Sequence, residues 1–189
     1  MGRVTETGRA AADGITPGEP PIHPQARIGH IHLKVADLDR SIAFYRDAFG
    51  FELMQHYGNQ AAFLSAGGYH HHIGLNTWDS RNGAAPGPGT TGLYHVAILY
   101  PDRRELARAL KRLLDHGVPI DGASDHGVSE AIYLRDPDGN GIEIYRDRDP
   151  AEWPRDADGT LSMTLARLDL DALLAELDRE PAPVASATS

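Results

Sequence analysis

The chain has 189 residues, enough for one domain with a good core or for two small modules that share one, and its net charge of -9 comes without any Lys/Arg-rich stripe, which argues against nucleic acid or an anionic membrane surface as a partner. It lacks an apolar run long enough to span a bilayer, and the opening MGRVTETGRAAADG lacks the apolar stretch of a secretory signal, so a cytoplasmic protein is expected. With no cysteine, disulfides and thiolate metal sites are both excluded, so any metal must be held by nitrogen and oxygen, which gives the ten histidines weight.

Residues 1–26 are small, polar and Pro-rich (TPGEPPIHP), too poor in apolar surface to offset their ordering entropy, and read as a flexible arm. IGHIHLKV then alternates, with Ile31, Leu33 and Val35 on one strand face and His30, His32 and Lys34 on the other. In DLDRSIAFYRDAFGF, Leu38, Ile42, Tyr45 and Phe49 make the apolar stripe of an amphipathic helix that Gly50 ends. FELMQHY, QAAFLSA and HHIGLNTW read as three strands separated by Gly58-Asn59 and Gly67-Gly68.

After the loop SRNGAAPGPGTTG the same order returns. The strand GLYHVAILY sets His95 before Val96 as His30 stands before Ile31. Leu106, Leu110, Leu113 and Leu114 form a second helix stripe, Gly117 ends it, and VPIDGAS, SEAIYLR and GIEIYRD supply three more strands around the turn DPDGNG. The fold class is therefore α+β: two βαβββ modules, 27–78 and 92–150, forming a pseudo-twofold cup within one domain at 27–150. An extension at 151–180 carries a helix, LDLDALLAELDRE, capped by Asp169 with Leu170, Leu173, Leu174 and Leu177 on one face, and 181–189 reads as a disordered tail.

With the apolar side of each first strand under its helix, His30 and His32 point into the cup, and His95 does the same in the second module. In GIEIY, Glu143 and Tyr145 alternate with Ile142 and Ile144 and face away from the apolar layer. Any one of these histidines alone would be an ordinary hydrogen-bonded residue. Their matched places in a repeat make His30, His95 and Glu143 a candidate metal set, with His32 the alternative to His30. Two imidazoles and a carboxylate leave coordination positions open and suit Fe(II), with Mn(II) as a substitute.

HIHLKVADLDRSIAFYRDAFGF, YHVAILY and DPDGNGIEIY together resemble the vicinal oxygen chelate superfamily over roughly residues 27 to 150, and HGVSEAIYLRDPDGNGIEIY resembles the extradiol ring-cleaving, catechol 2,3-dioxygenase branch. The resemblance implies that His30, His95 and Glu143 hold iron, that His126 and Tyr133 are catalytic hydrogen-bonding residues behind them, and that Tyr145, with His32, lines the substrate pocket. It also gives the triple histidine at 70–72 a reading. The family's histidine before a small apolar strand ending matches His71 in HHIGL, making His71 the acid–base residue that takes a proton from the diol and later returns it, a task for a group titrating near ambient pH. Alternation sends His70 and His72 to the opposite face.

The implied activity is an Fe(II)-dependent extradiol dioxygenase acting on a small aromatic diol and O2, in a homo-oligomer. Two alternatives share the fold. A glyoxalase-like isomerase or lyase would want a fourth protein ligand, ordinarily a carboxylate, from the first module's closing strand, and a bleomycin-resistance-like binding protein would need the cup but no metal.

Overall fold

The computed structural model describes residues 21–179; most of the expected arm and the expected tail at 181–189 lie outside the described residues. Alternation places the first strand as read. In β1 (Ile31–Lys34) Leu33 is buried while His32 and Lys34 are exposed, and Val35 just beyond it is fully buried. β1 runs parallel to β4 (Ile73–Asn76), β4 antiparallel to β3 (Ala61–Ser65), and β3 antiparallel to β2 (Glu52–Tyr57), so the sheet order is β1-β4-β3-β2. The second module repeats this as β5 (Val96–Leu99), β8 (Gly141–Asp147), β7 (Ser129–Arg135) and β6 (Ile120–Asp125), again with a parallel first pair. A two-residue strand from the C-terminal extension, β9 (Ala166–Arg167), adds a fifth member on the β6 edge. The sequence carries no signal for it, since two residues cannot show a period.

Helix α1 (Leu38–Ala43) opens at Asp37, whose carboxylate accepts from the Arg40 N–H at 3.0 Å. It widens into a π-helical segment, Phe44–Phe49, which ends at Gly50 with φ of 91°, a left-handed value that glycine adopts without steric cost. Leu38, Ile42 and Tyr45 are buried along its stripe. α2 (Arg103–Asp115) is capped by Asp102 and buries Leu106, Leu110 and Leu113. Leu114, which the stripe includes, is 45% exposed: three core positions already complete the inward face, and the fourth leucine lies round the helix from it. α3 (Leu170–Leu174) is capped by Asp169 as expected, buries Leu173 fully, and passes into a 3₁₀ turn, Ala175–Asp178.

The two modules share one apolar core, and a turn of the second plugs into the helix of the first. Asp136, buried at the head of DPDGNG, accepts from the N–H groups of Asp138 and Asn140 with one oxygen, and from the Tyr45 hydroxyl and the Asn140 side chain with the other. Asp138 accepts from the Ala36 N–H at 3.1 Å, from Arg40 at 2.5 Å and from the Ser41 hydroxyl at 3.2 Å. At the other end of the same segment, Arg112 of α2 donates to the carbonyls of Asp47 and Arg46. Burial, with the Asp136 charge next in effect, pushes the Tyr45 phenol well above its usual range, so it stays a neutral donor. Asp136→Ala leaves that hydroxyl and two turn N–H groups without their acceptor, and destabilises the chain by about 2–4 kcal/mol in urea unfolding.

Candidate functional site

The second module assembles four of the residues singled out in the sequence. His95 directly precedes β5, and β5 can lie close against β8 because position 141 is glycine: a Cβ there would stand 2.0 Å from the Tyr94 carbonyl oxygen. This brings His95 Nε2 to 2.9 Å from Glu143 Oε2. Tyr133, paired with Glu143 across the β7–β8 ladder, sets its hydroxyl 3.4 Å from Glu143 Oε1 and 2.8 Å from His126 Nε2. Burial and the adjacent Glu143 charge raise the Tyr133 phenol to about 12, so at neutral pH it keeps its proton. Tyr145 lies two residues along the Glu143 face, half-buried, its phenol raised by burial and then by Asp147 and Glu143.

The first module gathers the other residues. His30 stands one residue before β1, its ring 4.4 Å from that of His71; His71 also packs on Phe63 at 4.9 Å. His32 lies between Phe63 and Trp78, with ring centroids 6.0 and 5.5 Å away. Burial first, and then the neighbouring His30, lowers both His32 and His71, which favours the neutral ring. Phe63 and Trp78 thus wall the face that carries His30. Sequence reasoning missed Phe63, because Ala61, Ala62, Phe63 and Leu64 are all apolar and no alternation marks its face.

The three histidines at 70–72 do not alternate, because they precede β4 and lie in a bend. His72 turns away as expected, its Nδ1 meeting the Ser65 hydroxyl at 3.0 Å and the Ala66 N–H at 3.3 Å. His70 does not turn away: its Nδ1 is 2.7 Å from His71 Nδ1, a contact in which one ring supplies the proton and the other the lone pair, and Tyr69 packs on its ring.

The strand registers identify what stands in the first module where Glu143 stands in the second. Ile142 pairs with Val96 and Ile73 with Ile31, so the counterpart of Glu143 is Gly74. The first module offers no carboxylate there, and the His32 ring covers the glycine, 3.0 Å from where a Cβ would be. Among the described residues no three His, Asp or Glu side chains lie together as a metal-binding group. The described chain therefore holds two half-sites: His95 with Glu143, Tyr133 and His126 in one, and His30 with His71, His70 and His32 in the other.

A βαβββ repeat with a histidine before each first strand and a carboxylate on one closing strand defines a class, and the comparisons with known proteins agree. The model of the glyoxalase/bleomycin resistance protein/dioxygenase superfamily matches residues 27–144, and the chain belongs to that superfamily. It is 45% identical over 159 residues to the catechol-2,3-dioxygenase of Bacillus subtilis (strain 168), covering 84% of this chain and 55% of that protein. It is 32% identical over 124 residues to biphenyl-2,3-diol 1,2-dioxygenase 3 of Rhodococcus globerulus, covering 64% of this chain and 63% of that protein. The chain thus spans little more than half the length of these relatives. The crystal structure of a glyoxalase/dioxygenase from Nostoc punctiforme, 21% identical, superposes with a TM-score of 0.56 over 74% of this chain and 100% of that one, and shares the fold. No helix among the described residues is long and apolar enough to cross a membrane.

Proposed function

We propose that the chain is an extradiol ring-cleaving dioxygenase acting on a small aromatic diol with O2, with Fe(II), or Mn(II) in its place, held by His30, His95 and Glu143. The observation that carries the reading is the preformed His95–Glu143 pair set against a glycine at the matching place of the other module. Two imidazoles and one carboxylate make a facial set with open positions, whereas an isomerase of this fold would want a fourth ligand where Gly74 stands. The names of the two dioxygenase relatives support the same reaction. The bound metal would supply the electron path between diol and dioxygen.

The donor set fits such a metal in kind, while His30 sits in the other half-site. A second copy of the chain supplies it in our reading, giving the homo-oligomer a catalytic reason. β1 and β5 are both edge strands of their sheets, and the residues around them are apolar and uncovered: Ile28 is 90% exposed, Tyr94 85% and Leu99 54%. Each copy thus presents a half-site beside each of its two free edges, and a twofold pair completes two sites at once.

Within the completed site His71, walled by Phe63 and adjacent to His30, takes the proton of a diol hydroxyl and later returns it, with His70 fixing its proton position through Nδ1. His32 and Tyr145 contact the substrate ring from the two half-sites. Tyr133, held as a neutral phenol, stands between Glu143 and His126 and links the two.

Chain loaded anaerobically with iron is expected to bind about one Fe per copy, and Glu143→Ala to lose most of it in metal analysis; unchanged occupancy would remove Glu143 from the ligand set. His71→Phe is expected to keep its iron and lose catechol turnover by a factor on the order of 10² or more, read from the yellow ring-fission product. The shared site has its own test in complementation. His30→Ala and Glu143→Ala chains, each inactive alone, are co-refolded in equal amounts; random pairing rebuilds one intact site per mixed dimer, about a quarter of the wild-type sites. No recovered activity would place all three ligands within one chain.

A further inference from the structure

The C-terminal extension returns across the second module and makes an unusual contact there. After the 3₁₀ turn Pro150–Glu152, Trp153 donates from Nε1 to the Arg148 carbonyl at 3.0 Å, and Pro154 packs on Gly127 so closely that a Cβ on that glycine would lie 2.8 Å from its Cγ. A small hairpin follows, closed by the Arg155–Leu161 bridge and by Ser162 N–H donating to the Pro154 carbonyl at 2.9 Å. The chain then joins β6 as β9. Between hairpin and strand lies Thr164, which grips one residue twice. Its N–H donates to the His126 carbonyl at 2.9 Å, and its own carbonyl receives His126 Nδ1 at 3.1 Å.

A carbonyl oxygen only accepts, so His126 Nδ1 must carry a hydrogen. The neutral ring then presents a bare Nε2, and that nitrogen is 2.8 Å from the Tyr133 hydroxyl, which stands 3.4 Å from Glu143. We propose that residues 153–168 form a strap whose Thr164 carbonyl holds His126 as the Nδ1–H tautomer, so that His126 exchanges a proton with the site only through Nε2 and Tyr133. Thr164 is a positioning residue in this scheme and acts through His126. With Nε2 bare, Tyr133 donates to His126 and turns an oxygen lone pair toward Glu143. With Nε2 protonated, the ring donates to the Tyr133 oxygen and the phenol hydrogen turns to Glu143. One proton on Nε2 therefore reverses the whole row, while the Nδ1 end stays fixed by the strap. The importance of this for turnover rests on the dioxygenase reading, but the tautomer does not.

The test reads the tautomer directly, in the metal-free full chain, so that it is independent of activity. Nitrogen-15 imidazole spectra are recorded with His126 assigned by its loss in His126→Asn. The wild-type chain is expected to show a protonated Nδ1 and an unprotonated Nε2; an Nε2–H pattern, or an even mixture, overturns the proposal. Thr164→Pro removes the N–H that anchors the strap, and Gly127→Ala drives a Cβ into Pro154; each is expected to abolish the single-tautomer pattern while the resonances of His30 and His95 stay in place. Should both variants keep the wild-type His126 pattern, the strap does not set the tautomer and the proposal fails. In the iron-loaded protein, Thr164→Pro is expected to lower kcat by roughly tenfold to a hundredfold with KM little changed, the scale of a misplaced proton-transfer group, which separates this outcome from a failure of the dioxygenase reading, where wild type itself would not turn over catechol.

Discussion

The insertion of Asp136 and Asp138 into the first module is the interaction on which the rest of the structure depends. Two acidic side chains from a six-residue turn satisfy the entrance of α1, the hydroxyls of Ser41 and Tyr45, and the turn's own N–H groups. A buried carboxylate is tolerated only when its lone pairs are filled, and Asp136 is filled four times over. The same turn feeds directly into β8, so the strand that carries Glu143 is tied to the helix of the opposite module. The two modules are thus held in fixed relation by these polar contacts and by the shared apolar core, while β1 and β5 remain edge strands.

The two halves of the repeat have diverged in a complementary way. Both keep a histidine before the first strand. The second module keeps a carboxylate on the closing strand and buries a glycine beside the histidine's neighbour; the first has a glycine in the carboxylate's place, with His32 lying over it. The proposed donor set of two imidazoles and one carboxylate would follow from that asymmetry, since a strictly symmetric repeat would offer either four donors or two. The space at Gly74 is covered by the His32 ring, which packs in turn against Phe63 and Trp78.

Much of this was legible because period and repeat leave little freedom within a module. His95 and Glu143 meet side by side on neighbouring strands, as the repeat and the alternation suggest, and the caps at Asp37, Asp102 and Asp169 mark the helix starts. What escaped has physical reasons. The disposition of His70 follows from a bend, where period two has no meaning. Thr164 takes part through its backbone carbonyl, which every residue type possesses. The separation of His30 from Glu143 depends on which faces of the two modules meet, and side-chain pattern specifies each face without specifying its neighbour.

The π-helical segment Phe44–Phe49 sets a rule for how this chain tolerates changes of length. Its looser winding accommodates one more residue than an α-helix of the same span, and such segments behave as one-residue insertions. Both ends are pinned, by Asp138 at Arg40 and Ser41 and by Arg112 at the carbonyls of Arg46 and Asp47. A deletion of one residue within it would therefore be absorbed by relaxation to a regular α-helix between fixed ends, whereas an insertion has no wider helix to move into and must break one of the two attachments. Length variants at this place should be shorter by one and never longer.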